Sequence, residues 1–277
     1  MNYDLDANLP VGVFDSGVGG LTVLKELMRL LPGEDFRYLG DTARLPYGTK
    51  SRESVIRYAL QSSKHLVDQG VKLLVVACNT ASSAALPALE AAYPGLPVVG
   101  VVRPGAKAGC DLNANGRMAV IATEGTVRGG AYQQAILELC PAMRVEAQAC
   151  SLFVSLAEEG WTSGELVEAI VRKSLAPLWA RFGAETPGCL VLGCTHFPVL
   201  AGAIQNVVGP EVAVIDSAVT TAQEVRHLLR ERGLLRARKD GGTPKFYATD
   251  GQERFARVGS IFLGRELTPG DVALVDL

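Results

Sequence analysis

Short apolar runs alternate with longer stretches of helical period along nearly the whole chain. This alternation confines the fold to a mainly parallel sheet covered by helices. The runs fall at 11–14, 36–39, 72–77, 97–101, 117–122, 143–148, 189–193, 212–215, 245–248 and 271–275. Between them, amphipathic patterns at 20–31, 51–69, 80–92, 126–139, 163–182, 196–207, 217–232 and 251–263 read as helices. Proline and glycine mark turns, as at Leu31-Pro32-Gly33, Tyr93-Pro94-Gly95 and Thr186-Pro187-Gly188. A chain of 277 residues, 48% hydrophobic, has material for one large domain or two medium ones.

Two features repeat. Val11-Gly-Val-Phe-Asp15-Ser16-Gly-Val-Gly-Gly20 opens one βα unit, and Met118-Ala-Val-Ile-Ala-Thr123-Glu124-Gly-Thr126-Val-Arg-Gly-Gly130 opens another. Each is followed by an apolar strand, a small residue, a cysteine, two polar residues and a helical pattern. The first such junction is Leu73-Leu-Val-Val-Ala-Cys78-Asn79-Thr80, the second Cys189-Leu-Val-Leu-Gly-Cys194-Thr195-His196. The echo predicts two similar parallel-sheet α/β domains with the site in the cleft between them. The first takes 1–102 plus 212–277 and the second 103–211, with the crossing at Val102-Arg103-Pro104-Gly105 and the return before Asp216. A single undivided sheet is the alternative.

Bulk properties exclude several classes of function. A net charge of −2 gives no electrostatic case for nucleic acid or an anionic membrane. The basic run Arg236, Arg238 and Lys239 reads as a solvated loop. No segment approaches the roughly 18 apolar residues of a membrane span. The acidic opening Met1-Asn-Tyr-Asp-Leu-Asp6 has no signal pattern, so a cytoplasmic protein is expected. The six cysteines contain no C-x-x-C pair, which argues against a zinc site, and cysteines 110, 140, 150 and 189 read as buried small apolar residues.

The junctions carry the chemistry. Each puts a cysteine at the carboxyl end of a strand, beside a helix N-terminus whose dipole and free N–H groups favour a thiolate. Open α/β sheets bind ligands at this edge. The Asp15–Gly20 loop is neither G-x-G-x-x-G nor a P-loop, so a nucleotide is disfavoured. Asp15 reads as a proton-handling or orienting group for a neighbouring cysteine, or as a helix cap. The loop Asp41–Ser51 lines a pocket or merely connects. His196 can activate a thiol or protonate a leaving group. Glu158 and Glu159 end the stretch from Cys150 that follows the strand 143–148 on the same edge, and Glu159 reads as a solvated charge.

Taken together, Asp15-Ser-Gly-Val-Gly-Gly-Leu-Thr22, Gly40-Asp-Thr-Ala-Arg44, Pro46-Tyr-Gly48, Ala77-Cys-Asn-Thr80, Gly193-Cys-Thr-His196, Val214-Ile-Asp-Ser217 and the tail from Phe246 to Leu263 resemble the signatures of the cofactor-independent bacterial glutamate racemases, in order and over nearly the whole chain. The resemblance implies that Cys78 and Cys194 are the catalytic pair, Asp15 assisting the first and Glu158 and His196 the second. It implies substrate contacts at Asp15, Ser16, Pro46, Tyr47, Gly48, Asn79, Thr80, Thr123, Thr126, Thr195 and His196. It implies no cofactor and no metal, L- and D-glutamate as substrates, a homodimer, and supply of D-glutamate for peptidoglycan. The chain departs from the family pattern in having Ser151 and Ser155 where prolines are common, and Arg103 where an acid precedes the proline.

The chemistry agrees with the resemblance. Inverting an α-carbon removes a proton from one face and returns one to the other, which two opposed thiol/thiolate groups can do. A Cys–His hydrolase would leave Cys78 idle, and a two-lobed amino-acid binding module would need neither cysteine. A racemase for aspartate or another acid would differ only in its pocket.

Overall fold

The computed structural model describes residues 5–113, 115–238 and 241–277. Met1–Asp4 of the acidic opening and Lys239 of the basic run lie outside them; Arg236 and Arg238 both pair with Asp35. Strands form where the apolar runs lie: β1 Val11–Asp15, β2 Phe36–Gly40, β3 Leu73–Val76, β4 Val98–Gly100, β5 Arg117–Ala122, β6 Arg144–Ala149, β7 Cys189–Gly193, β8 Ala213–Asp216, β9 Pro244–Ala248 and β10 Val272–Leu274. They build two all-parallel sheets, ordered β10-β9-β2-β1-β3-β4 and β6-β5-β7-β8.

Strand periodicity sends alternate residues to opposite faces, and both faces of both sheets are covered. In the first sheet, Val11, Val13, Leu73 and Val75 pack on the helices Leu21–Leu30, Ser217–Glu231 and Gln252–Leu263. Phe14, Leu74 and Val76 pack on Arg52–Asp68 and Asn79–Ala92. In the second, Ile121, Leu190 and Leu192 share a core with Phe153, Leu175 and Ile204, and Val120 and Val191 one with Ala106, Tyr132 and Ile136. Among the described residues no helix is long and apolar enough to cross a membrane.

Topology selects the place of a site. In the first sheet the chain leaves β1 to pair β2 on one side and returns to pair β3 on the other. The second sheet repeats this with β5, flanked by β6 and β7. Each has a switch point, between β1 and β3 and between β5 and β7, where the following loops diverge and leave a crevice. Register brings Asp15 beside Gly40 and Ala122 beside Gly193 at these edges. Thr123 and Cys194 follow immediately, and Cys78 follows β3 with one residue between.

Four expectations need correction. β8 pairs with β7, so the segment from 212 does not return to the first sheet; the return begins with the next helix, Ser217–Glu231, and continues through β9 and β10. An apolar run carries no mark of which sheet it will join. The segment expected to be a bare crossing is a helix, Val102–Leu112. Pro104 sits in its first turn, where a missing N–H costs nothing. The pattern at 126–139 is two helices, Glu124–Gly129 and Ala131–Leu139, broken at Gly130 with φ +68°. Finally, Cys110 and Cys140 are only part-buried, whereas Cys150 and Cys189 are buried as expected; all six cysteines are free.

Candidate active site

The two carboxyl edges face each other across one narrow cavity of about 40 Å³. Ser16, Pro46, Tyr47, Gly48, Cys78, Asn79 and Thr80 line it from the first sheet's loops. Thr123, Val154, Cys194, Thr195 and His196 line it from the second's. Asp15, Glu158 and Thr126 stand behind this wall.

The two junctions differ once folded. Cys78 is the N-cap of Asn79–Ala92, and its Sγ accepts the Ala81 N–H at 3.4 Å. Cys194 is followed by a turn and the 3₁₀ segment Phe197–Leu200 before the helix Ala201–Val208 begins. No helix N-terminus therefore caps the second sulfur, contrary to the sequence expectation. His196 takes that place, with Nδ1 3.9 Å from Cys194 Sγ and Nε2 3.1 Å from Glu158 Oε1. Glu158 ends the helix Leu152–Glu158, and its other oxygen accepts from Arg254.

Polar partners are fixed from outside the cavity. Tyr132 donates to Asn79 Oδ1 at 2.7 Å, which leaves the buried Asn79 Nδ2 without a partner. Asp15 is fully buried; Oδ2 accepts the Gly17 N–H at 2.9 Å, and Oδ1 has no hydrogen-bond partner. Such orphaned buried groups cost stability unless something else satisfies them. Tyr47 donates its hydroxyl to Asp41, whose carboxylate also takes Arg44 Nε at 2.7 Å and Thr249 Oγ1 at 3.0 Å. That hydroxyl is not free for a ligand. Thr80, Thr123 and Thr126 close a triangle of hydroxyls 3.0 to 3.2 Å apart, joining the two edges. At the same seam a Cβ on Gly48 would sit 2.8 Å from Thr123 Cβ, so only glycine permits this approach.

Burial decides the charge state of Cys78. Burial, reinforced by the charge of Asp15, pushes the Cys78 thiol up to about 12, against the Ser16 and Ala81 hydrogen bonds that favour the thiolate. The expectation that the helix N-terminus would ionise Cys78 is thus reversed: desolvation outweighs one weak N–H···S bond. Asp15 is itself raised by burial, opposed by His196 and by backbone N–H groups. For His196, burial presses the pKa down, but Cys194, Glu158 and Asp15 hold the proton and the balance lies up at about 10. For Glu158, burial works upward, yet His196 and Arg254 bring the net result below the ordinary carboxylate range. Cys78 is therefore a neutral thiol, and across the cavity a protonated His196 stands beside the second sulfur.

A pH dependence of stability follows. His196 has a folded pKa above its unfolded value of 6.5, so its contribution is fully present below 6.5 and is lost as pH rises through about 10. The urea midpoint should fall across that window, and His196→Gln should flatten the fall. An equal slope in the variant would contradict the assignment.

Several residues here were given no role in the site by the sequence. Val154 is one apolar residue in a helix. Tyr132 reaches Asn79 only through the fold. Thr22 donates to the Thr195 carbonyl at 3.0 Å, and Phe262 packs edge-on against His196 with centroids 5.0 Å apart.

Comparison with known proteins follows the same line. The family model described as Asp/Glu/hydantoin racemase matches residues 19–225. A glutamate racemase of Geobacter metallireducens is 49% identical over 267 residues, 96% of each chain. The crystal structure of a glutamate racemase isoform from Bacillus anthracis superposes with a TM-score of 0.91 at 36% identity, over 98% of each chain. That of the Francisella tularensis glutamate racemase, in complex with D-glutamate, gives 0.88 at 38% identity, again over 98% of each chain.

Proposed function

We propose, for a chain that belongs to the Asp/Glu/hydantoin racemase family, an interconversion of L- and D-glutamate by proton transfer between two opposed cysteines. The observation that carries this reading is the single cavity bordered by Cys78 and Cys194, one from each sheet's carboxyl edge. The names of the most similar relatives support glutamate as the substrate.

In the L-to-D direction Cys194 acts as the thiolate base. The α-C–H bond breaks, an S–H bond forms on Cys194, and the electron pair stays on the α-carbon and its carboxylate. Cys78, a thiol, gives its proton to the opposite face; that S–H bond breaks and the new C–H bond forms. The roles reverse for D-glutamate, with Asp15 behind Cys78 and the Glu158–His196 pair behind Cys194. The carbanionic charge needs fixed donors in a site closed to water. Asn79 Nδ2, held open by Tyr132, suits this, as do the hydroxyls of Ser16, Thr80, Thr123 and Thr195, with Thr126 bracing Thr80 and Thr123. Pro46, Tyr47 and Gly48 shape the wall for the side-chain carboxylate.

The reading extends to D-glutamate supply for peptidoglycan, to the cytoplasm and to a homodimer. Its support is the resemblance in sequence, and six free cysteines suit a reducing compartment. A Cys–His hydrolase finds no support in a site where both sulfurs border the same space.

Incubation with L-glutamate in D₂O, without added cofactor, tests the reaction. Optical rotation should decay to zero while about one deuterium enters the α-position per inversion. Retained rotation, or an acyl-enzyme, would overturn it.

A further inference from the structure

We propose that Arg254 is a positioning residue for this reaction, setting the Glu158–His196 pair from the far side of the cleft; the proposal rests on the two-cysteine reading. Arg254 lies on the helix Gln252–Leu263, which packs on the first sheet, whereas Glu158 and His196 belong to the second sheet's layers. Residues 254, 258 and 262 share one face of that helix. Val258 and Phe262 are buried, Phe262 against the His196 ring, and Arg254 reaches Glu158 Oε2. One helix therefore touches both members of the pair.

The need for such a group is visible at Glu158. It is the last residue of its helix, where the dipole disfavours an anion. Its two oxygens are both used, Oε1 on His196 and Oε2 on Arg254. With the guanidinium gone, Oε2 loses its partner and the carboxylate is free to turn, which frees the imidazole from its bearing on Cys194. Arg254 is itself 54% exposed, so its ion pair adds little to folding stability. A role in stability alone does not account for its placement.

The titratable and charged groups around His196 are Asp15 from β1, Cys194 in its own loop, Glu158 from the helix Leu152–Glu158 and, through Glu158, Arg254. Loss of the positive charge alone would make Glu158 a stronger partner and raise the imidazole pKa. Loss of position would weaken the Glu158–His196 bond and lower it. The two roles differ in sign.

The test compares Arg254→Gln, Arg254→Lys and, as a control on the exposed face of the same helix, Arg257→Gln. NMR titration of the His196 ring, assigned with His196→Gln, should move down by about one pH unit in Arg254→Gln. The L-to-D kcat should fall by about tenfold, with KM changed by less than about twofold. Arg254→Lys should recover at least half the kcat, and Arg257→Gln should match the parent. An unmoved or raised His196 titration overturns the proposal, as does a kcat within twofold of the parent. If the parent does not racemise glutamate, the functional reading fails, and the titration alone still decides whether Arg254 sets the pair.

Discussion

Replacing either Cys78 or Cys194 by alanine should lower racemisation by at least about a thousandfold while leaving the fold intact. General acid–base groups contribute typically 10²- to 10⁴-fold, and each cysteine here is the sole proton-transfer group proposed for its face. Both sulfurs are buried at the rim of a core yet also border the cavity, so the space either substitution leaves adjoins space already open. Cys78→Ala also removes the weak cap on the Ala81 N–H, a loss below about 1 kcal/mol. The two variants should fail differently. Cys78→Ala retains Cys194 and His196, so it should still exchange the α-proton of L-glutamate with solvent slowly, without inversion. Cys194→Ala should do the same with D-glutamate only. Inversion in either variant at more than a tenth of the parent rate would refute the two-base mechanism, and a circular-dichroism melt would separate catalytic loss from unfolding.

The strands were legible because a parallel sheet buried on both faces writes continuous apolar runs such as Leu73–Val76 and Cys189–Gly193. The helix Val102–Leu112 was hidden by Pro104 and Gly105, which read as a break although proline is harmless in a first turn. β8 shows a deeper limit. Its residues predict a strand, but the partner it pairs with depends on the space left by β7 and on Asp216 capping the helix that follows. The cavity wall was readable where a residue stands within two positions of a strand's end, as Cys78, Thr123 and Cys194 do, since strand ends fix position through register. What lay beyond reach were contacts between distant helices: Tyr132 on Asn79, and Arg254 and Phe262 on the Glu158–His196 pair. Charge states were harder still. The N-cap pattern at Cys78 suggests a thiolate, and only the degree of burial and the nearness of Asp15 reverse it.

Gly19→Ala should lower kcat/KM by roughly a hundredfold, although position 19 has no proposed chemical role. A Cβ there would lie 2.4 Å from both His196 Nδ1 and Thr195 Oγ1, and 2.5 Å from His196 Cε1. Gly19 is not among the positive-φ glycines, so the conflict is one of space and not of backbone strain. Little can yield. The loop carrying Gly19 is tied to the opposite edge by Thr22, whose hydroxyl bonds both the Gly19 and the Thr195 carbonyls. The softer member is the His196 ring, and its displacement stretches the contacts to Cys194 Sγ and Glu158 Oε1. A misplacement of about 1 Å at a reacting group can cost about 10²-fold in rate. The loss should fall mainly on the L-to-D kcat, because the Cys194 side carries the injury. Gly202→Ala, where an added Cβ meets nothing within 4 Å, provides the matched control and should behave as the parent. A Gly19→Ala enzyme within threefold of the parent would show that His196 can move without consequence, and its place in the proton-transfer chain would have to be given up.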